Sequence, residues 1–400
     1  MQRFFFILLS LLLFFCQNLQ GQNNNKRSII DAEDAIVGAS RIELYISDLQ
    51  DKNVGVIANQ TSIFNGIHLI DTLLSHGIRI KKIFTPEHGF RGSADEGAII
   101  NNSIDEKTQL PIISLYGKNK KPDSSQLEDI DILIFDLQDV GTRFYTYIST
   151  MTYVMEAAAE NNIPMIVLDR PNPNGFYIDG PIMEKENISF VGLHPVPIVY
   201  ALTIGEYALM VNGEFWLSDS LQCELKVIPL GNYDRNSIYK LSVKPSPNLP
   251  NWESVYLYPS LCLFEGTIVS VGRGTEKPFQ VYGHPLISDE FAFIPRKKEG
   301  HRAPLYCDQE CRGEFLIDYA NNYQENPDRI NLSWLIKAYN GLSNQTDFFN
   351  NFFIKLSGSE TLRKQIENGL SEEEIRNTWS KNIKDYKNIR VKYLIYKDFK

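Results

Sequence analysis

The chain is 400 residues long, 43% hydrophobic and 22% charged, a composition that excludes intrinsic disorder and leaves room for two packed units. Its formal net charge is -9 at pH 7 and no basic run stands out, which argues against a phosphate-neutralising surface and a nucleic-acid partner. An acidic ligand would need a local group of arginines rather than the global field.

Met1-Gln2-Arg3 precedes an unbroken apolar run from Phe4 to Cys16, followed by polar residues through Gln22-Asn23. One positive charge, a short apolar core and a small residue at Gly21 predict a secretory signal over 1–21, followed by a polar spacer over 22–35. The run is too short to span a bilayer comfortably, and no later segment matches a membrane helix, so the expectation is an exported, periplasmic, soluble chain. Cys16 raises the alternative of a lipid anchor, but Phe14-Phe15 stand where the small residues of an attachment site belong. Cys223, Cys262, Cys307 and Cys311 allow three disulfide connectivities, which spacing does not choose between.

From residue 53 onward the chain repeats a short β-branched run, a polar loop and a helical stretch. Strands are predicted at Asn53–Ala58, Ile78–Phe84, Pro111–Gly117, Asp131–Asp136 and Pro164–Asp169. A helix is predicted at Leu69–Leu74, and another from near Arg143, where Phe144, Tyr147, Ile148, Met151, Val154, Met155 and Ala158 share one face. Apolar strands alternating with helices imply a Rossmann-like α/β domain, with a parallel sheet covered on both faces, over 36–245. Thr203-Ile204-Gly205-Glu206 reads as a helix start and Cys223–Leu230 as a strand. The Gly- and Pro-rich stretch from Ser246 to Pro285 shows little helical period. Helical patterns follow at Phe315–Tyr323, Leu332–Tyr339 and Glu372–Lys384, then a strand-like Ile389–Tyr396. Residues 246–400 are therefore expected to form a smaller α+β domain, packing over the carboxyl edge of the sheet.

Open parallel sheets bind ligands beyond the carboxyl ends of their strands, and five successive strand ends here are polar. They carry Asn59-Gln60-Thr61, then Glu87, His88 and Arg91, then Tyr116, then Asp136, Gln138, Asp139, Arg143 and Tyr145, then Asp169, Arg170, Asn172 and Asn174. Familiar machinery is absent: there is no P-loop, no Gly-x-Ser-x-Gly elbow and no His-Glu-x-x-His, and Gly272-Arg273-Gly274-Thr275 is only part of a dinucleotide fingerprint. No metal or cofactor is expected. Carboxylate chemistry remains. Glu87, partly shielded by Phe84 and Phe90, suits a general acid, and Asp136 or Asp139 offers a second carboxylate. Arg91, Arg143, Arg170 and Arg273 suit gripping a substrate carboxylate by paired hydrogen bonds.

Thr85-Pro86-Glu87-His88-Gly89-Phe90-Arg91-Gly92, Ser114-Leu115-Tyr116-Gly117, the run from Asp136 to Tyr147, Asp169-Arg170-Pro171-Asn172-Pro173, and Phe264-Glu265-Gly266-Thr267 with Gly272-Arg273-Gly274-Thr275 closely resemble the NamZ family of exo-β-N-acetylmuramidases. The resemblance runs through nearly all of the chain after residue 35. It implies removal of N-acetylmuramic acid from the non-reducing end of peptidoglycan fragments, in a cleft between a Rossmann-like domain and a smaller one. It matches the family's catalytic glutamate to Glu87 and an assisting tyrosine to Tyr116; Asp139, the second carboxylate read from its place at a strand end, is a further catalytic candidate. His88, Arg91, Asp136, Gln138, Arg143, Tyr145, Asp169, Arg170, Asn172, Glu265 and Arg273 are the candidate substrate contacts. Related chains carry Arg-His-Gly-Met where this one has Val199-Tyr200-Ala201-Leu202. Two mechanisms stay open: attack by the substrate's own acetamido group, or inversion with Asp136 or Asp139 activating water. An exported sugar-binding protein without catalysis and a deacetylase or other amide hydrolase are the competing classes.

Overall fold

The structure, a computed structural model, describes residues 27–31, 34–87, 89–90, 103–298, 303–342 and 347–399. The predicted signal, Cys16, His88 and Arg91 lie outside the described residues. Among those residues, no helix is long and apolar enough to cross a membrane.

Six parallel strands form the central sheet: β1 (Asn53–Ala58), β2 (Arg79–Thr85), β3 (Pro111–Ser114), β4 (Ile132–Asp136), β5 (Met165–Leu168) and β6 (Leu225–Ile228). Their spatial order is β6-β5-β4-β1-β2-β3, with the short strand Ser103–Ile104 pairing antiparallel at the β3 edge. This is the doubly wound order 3-2-1-4-5-6, so the chain reverses direction across the sheet between β1 and β4. Side chains alternate cleanly between faces. Ile57, Phe84, Leu133, Phe135 and Val167 enter one core, while Val56, Ile83, Ile132, Ile134 and Leu168 enter the other.

Helix α1 (Leu69–Ser75) follows β1, and α2 (Tyr147–Glu160) follows β4. The latter starts four residues later than periodicity suggests, because the preceding loop is held elsewhere: the Arg143 amide donates to the Ile198 carbonyl (2.8 Å) and Gly141 takes φ of 79°. Helix α3 (Ile204–Gly213) begins as expected, with Thr203 and Glu206 forming a reciprocal capping box.

The second half holds an antiparallel sheet of β7 (Val281–His284), β8 (Phe291–Phe293) and β9 (Cys311–Phe315), with β9 central. Around it pack α4 (Trp252–Leu261), α5 (Ser333–Leu342), α6 (Phe352–Ser357), α7 (Glu360–Glu367) and α8 (Glu372–Arg390). The core on one sheet face continues into this half through Tyr258, Phe279, Leu335, Phe353 and Trp379. The four described cysteines are free thiols.

Two expectations are corrected. The strand-like Ile389–Tyr396 is instead the end of α8 and a single 3-10 turn at Val391–Tyr393. Its backbone finds a side chain in place of a strand partner: the amides of Ile395 and Tyr396 donate to the Glu206 carboxylate (2.9 and 3.3 Å). The Gly- and Pro-rich stretch hides α4, which contains Pro259. Proline lacks the N–H that would bond the carbonyl four residues back. That carbonyl, of Val255, accepts instead from Asn174 Nδ2 (3.1 Å), so the helix tolerates its proline.

Candidate active site

Glu87 stands two residues beyond β2 and is half-buried. It lines a recess with Phe144, Tyr145 and Tyr147 from the sheet domain, and with Ser246, Asn248, Tyr258, Arg273 and Phe279 from the second half. The recess is thus built by both halves, where the resemblance puts the cleft. Its aromatic wall is interlocked edge to face: Tyr145 on Tyr147 at 4.7 Å between centroids, Phe144 on Tyr258 at 5.3 Å, and Tyr258 on Phe279 at 4.9 Å. The phenols are anchored too. Tyr147 accepts from Asn59 Nδ2 (2.7 Å), and Tyr145 donates to the Pro245 carbonyl (2.7 Å). Burial raises both phenols well above the usual tyrosine range, so they stay protonated and act as hydrogen-bonding walls.

Arg273 enters from the loop after α4 and stacks over Phe279, 5.1 Å from its centroid. Glu265 holds it by two hydrogen bonds, Nε to Oε1 at 2.5 Å and Nη2 to Oε2 at 3.0 Å. This fork fixes the guanidinium plane at the recess wall. Glu87, Tyr145 and Arg273 are therefore brought together, with Glu265 behind Arg273.

The other candidates go elsewhere. Tyr116 is half-buried just past β3 and does not line this recess among the described residues. Asp136 is fully buried and forked to Arg170, Nε to Oδ1 at 2.6 Å and Nη2 to Oδ2 at 2.9 Å. Asp139 is buried behind the site, where its carboxylate accepts from Tyr200 Oη and from the Gly141 amide (2.6 Å). Burial pushes that carboxyl up to about 6. Gln138 and Arg170 line a separate cavity on the other side of the segment 241–249.

Three residues expected at the cleft are drawn into the interior instead. Arg143 is fully buried and donates Nη1 to the Pro181 and Val196 carbonyls (2.8 and 2.7 Å), and Nη2 to the Leu356 and Ser357 carbonyls (2.9 and 2.7 Å). The latter two are terminal carbonyls of α6, which have no intrahelical partner. With no carboxylate beside it among the described residues, burial lowers this guanidinium to about 9. Asp169 accepts from Thr203 Oγ1 (2.8 Å), the Gly205 amide (2.8 Å) and Tyr396 Oη (2.5 Å), anchoring the start of α3. Asn172 donates to the Leu202 carbonyl (2.8 Å) and accepts from the Asn174 amide (2.8 Å).

Sequence reasoning missed Tyr147, Ser246, Asn248, Tyr258 and Phe279 as wall residues. Tyr147 was absorbed into a helical face. The others sit in the Gly- and Pro-rich stretch that shows little helical period, and the aromatic density of Tyr256–Phe264 was the available signal. Among the described residues, no group of three His, Cys, Asp or Glu side chains is placed to hold a metal ion.

Two family profiles match consecutive stretches: "Exo-beta-N-acetylmuramidase NamZ, N-terminal" over 54–253 and "Exo-beta-N-acetylmuramidase NamZ, C-terminal" over 256–396. A peptidoglycan beta-N-acetylmuramidase NamZ from Bacillus subtilis (strain 168) is 39% identical over 383 residues, covering 88% of this chain and 89% of that protein. Crystal structures of two DUF1343 family proteins from Bacteroides fragilis NCTC 9343 superpose with TM-scores of 0.83 and 0.76, at 44% and 29% identity. Each covers 91% of this chain and 99% of its own. With both halves matched in order, and Glu87 set in a recess that both halves build, the chain belongs to the NamZ family of exo-β-N-acetylmuramidases.

Proposed function

We propose that this protein is a glycosidase that removes N-acetylmuramic acid from the non-reducing end of peptidoglycan fragments, with Glu87 as the general acid. The observation that carries the reading is the placing of Glu87, Arg273 and an aromatic wall around one recess between the two halves. A carboxyl group there can protonate a glycosidic oxygen, a fixed guanidinium suits the lactyl carboxylate of muramic acid, and aromatic rings suit the apolar face of a pyranose.

Among the described residues that line the recess, Glu87 is the single carboxylate, while Asp136 and Asp139 are engaged in the interior. That favours the substrate-assisted route over inversion. The acetamido oxygen attacks the anomeric carbon as the glycosidic bond breaks, and Glu87 gives its proton to the departing oxygen. A water then opens the cyclic intermediate, returning its proton to Glu87, with net retention. Proton NMR of the sugar first released checks this: the β anomer supports the route, and the α anomer overturns it.

Activity is tested with a chromogenic β-N-acetylmuramide. Wild type releases the aglycone, and Glu87→Gln lowers kcat/KM at least about a hundredfold. Binding without turnover would mark a sugar receptor, and acetate release a deacetylase. The apolar run Phe4 to Cys16 further supports export to the periplasm, and a mature amino terminus near residue 22, read by mass spectrometry, is the expected result. A lipid-modified Cys16 would replace that reading with an anchored one.

A further inference from the structure

A second cavity, of about 650 Å³, lies beyond the carboxyl ends of the paired neighbours β1 and β4, where the doubly wound sheet changes direction. Such crevices are the usual ligand sites of open parallel sheets. Its base is polar and prearranged. Asp136 holds Nε and Nη2 of Arg170, while Nη1 makes no hydrogen bond among the described residues. Gln138 donates Nε2 to the Asp139 and Pro171 carbonyls (2.8 and 2.7 Å), which fixes its amide and leaves Oε1 as an acceptor. Both side chains are 5% exposed. The walls are mixed, with Ile36, Ile63, Phe64 and Val243 standing beside the polar Ser40 and Asn65.

A buried guanidinium in ion pair with a carboxylate adds no net charge, so the cavity suits a neutral ligand rather than an anion. The ligand must offer one acceptor to Arg170 Nη1, one donor to Gln138 Oε1 and an apolar face to Phe64. An acetamido group supplies the first two through its C=O and N–H, and the pyranose that bears it supplies the third. We infer that this cavity is a subsite for an N-acetylated hexosamine on the leaving-group side of the bond cleaved at Glu87.

The segment 241–249 joins the two sites. Leu241, Ser242 and Val243 line the cavity, and Ser246, Asn248 and Leu249 the recess. Between them, Gln60 Nε2 and Tyr145 Oη hold the Pro245 carbonyl (3.2 and 2.7 Å). The four residues from Ser242 to Ser246 span at most about 13 Å, a distance that two or three β-1,4-linked sugars cover. On this inference, a saccharide with its non-reducing end in the recess lays a later acetamido sugar in the cavity. This would favour fragments of more than one sugar without altering the bond broken.

The inference rests on the glycosidase reading, and the test separates the two. Ser242 is exposed on the rim of the cavity, so Ser242→Trp obstructs it without disturbing the core. On the chromogenic monosaccharide, which reaches only the recess, kcat/KM stays within about twofold of wild type. On a peptide-free tetrasaccharide that begins in N-acetylmuramic acid, KM rises at least about tenfold with kcat unchanged. Phe64→Ala, which removes the wall without filling the space, shifts the tetrasaccharide KM the same way. Unchanged tetrasaccharide kinetics in both variants, or equal loss on both substrates, overturns the subsite. If wild type turns over neither substrate, the glycosidase reading fails. Calorimetric titration of N-acetylglucosamine oligosaccharides into wild type and Ser242→Trp then decides the cavity alone: binding lost in the variant supports it, and binding equal in both, or absent from wild type, overturns it.

Discussion

The loops after β4 and β5 and the loop after β2 carry the same kinds of polar residue, yet they serve different ends. In the first two, Asp136, Asp139, Arg143, Asp169 and Asn172 are almost wholly buried and turn to partners within the protein. Arg143 reaches four carbonyls, Asp169 anchors α3, and Asn174 takes the carbonyl that Pro259 leaves without an amide. After β2, Glu87 is half-buried and faces a recess shared with Arg273 from the other half. A polar side chain at a strand's carboxyl end is available for chemistry only where the packed interior does not already claim it, and burial separates the two classes here.

If the buried loops are architecture, substitutions in them should alter stability and leave the affinity of the folded fraction alone. The largest effect is expected from Arg143→Leu, which strands four buried carbonyls and costs about 4 kcal/mol or more in urea unfolding. Arg143→Lys should recover only part of that, since a point ammonium cannot fork to both pairs. A KM rise in either variant, with stability intact, would move Arg143 into the cleft class.

Asp139→Asn comes next and has a pH signature. Burial raises the folded carboxyl from its ordinary 3.8 to about 6. The folded chain therefore holds a proton that the unfolded chain has already lost over that window. Stability from this group is complete below about pH 4 and falls as pH rises through 6, by up to about 3 kcal/mol. The asparagine variant carries no such proton, so wild type should lose ground to it between pH 4 and 7. A constant difference across that range would show that Asp139 is not held in its protonated form.

The smallest effect is expected from Asn174→Ala, which leaves the Val255 carbonyl bare at the proline of α4 and costs about 2 kcal/mol. Because α4 carries Tyr258, this variant also tests whether the recess wall depends on that bond. An unchanged melting profile would mean that the helix bends around Pro259 without the help of Asn174.

The strands were legible because their signal is local. Apolar runs such as Val54–Ala58 and Ile132–Phe135 must be covered on both faces wherever they sit, and Thr203 with Glu206 caps a helix using only its own turn. Glu87 was legible by its place at a strand's end within a specific motif. Helix α4 was not, because Pro259 breaks the local rule and the residue that makes it tolerable, Asn174, lies 81 positions before the Val255 carbonyl it serves. Nor was the fate of Ile389–Tyr396, whose strand-like composition met the Glu206 carboxylate about 190 residues away in place of a strand partner.

By itself, the sequence determined the alternating strands and helices of the parallel sheet, its two covered faces and the family, and it singled out the glutamate on which the chemistry is proposed to turn. Only the tertiary structure decided that Arg143 looks inward to carbonyls up to 214 residues distant while Arg273 looks onto the recess of Glu87. The reason is physical. Periodicity and capping depend on neighbours in the chain, whereas the direction of a charged side chain depends on which distant groups offer it a bond that water would otherwise supply.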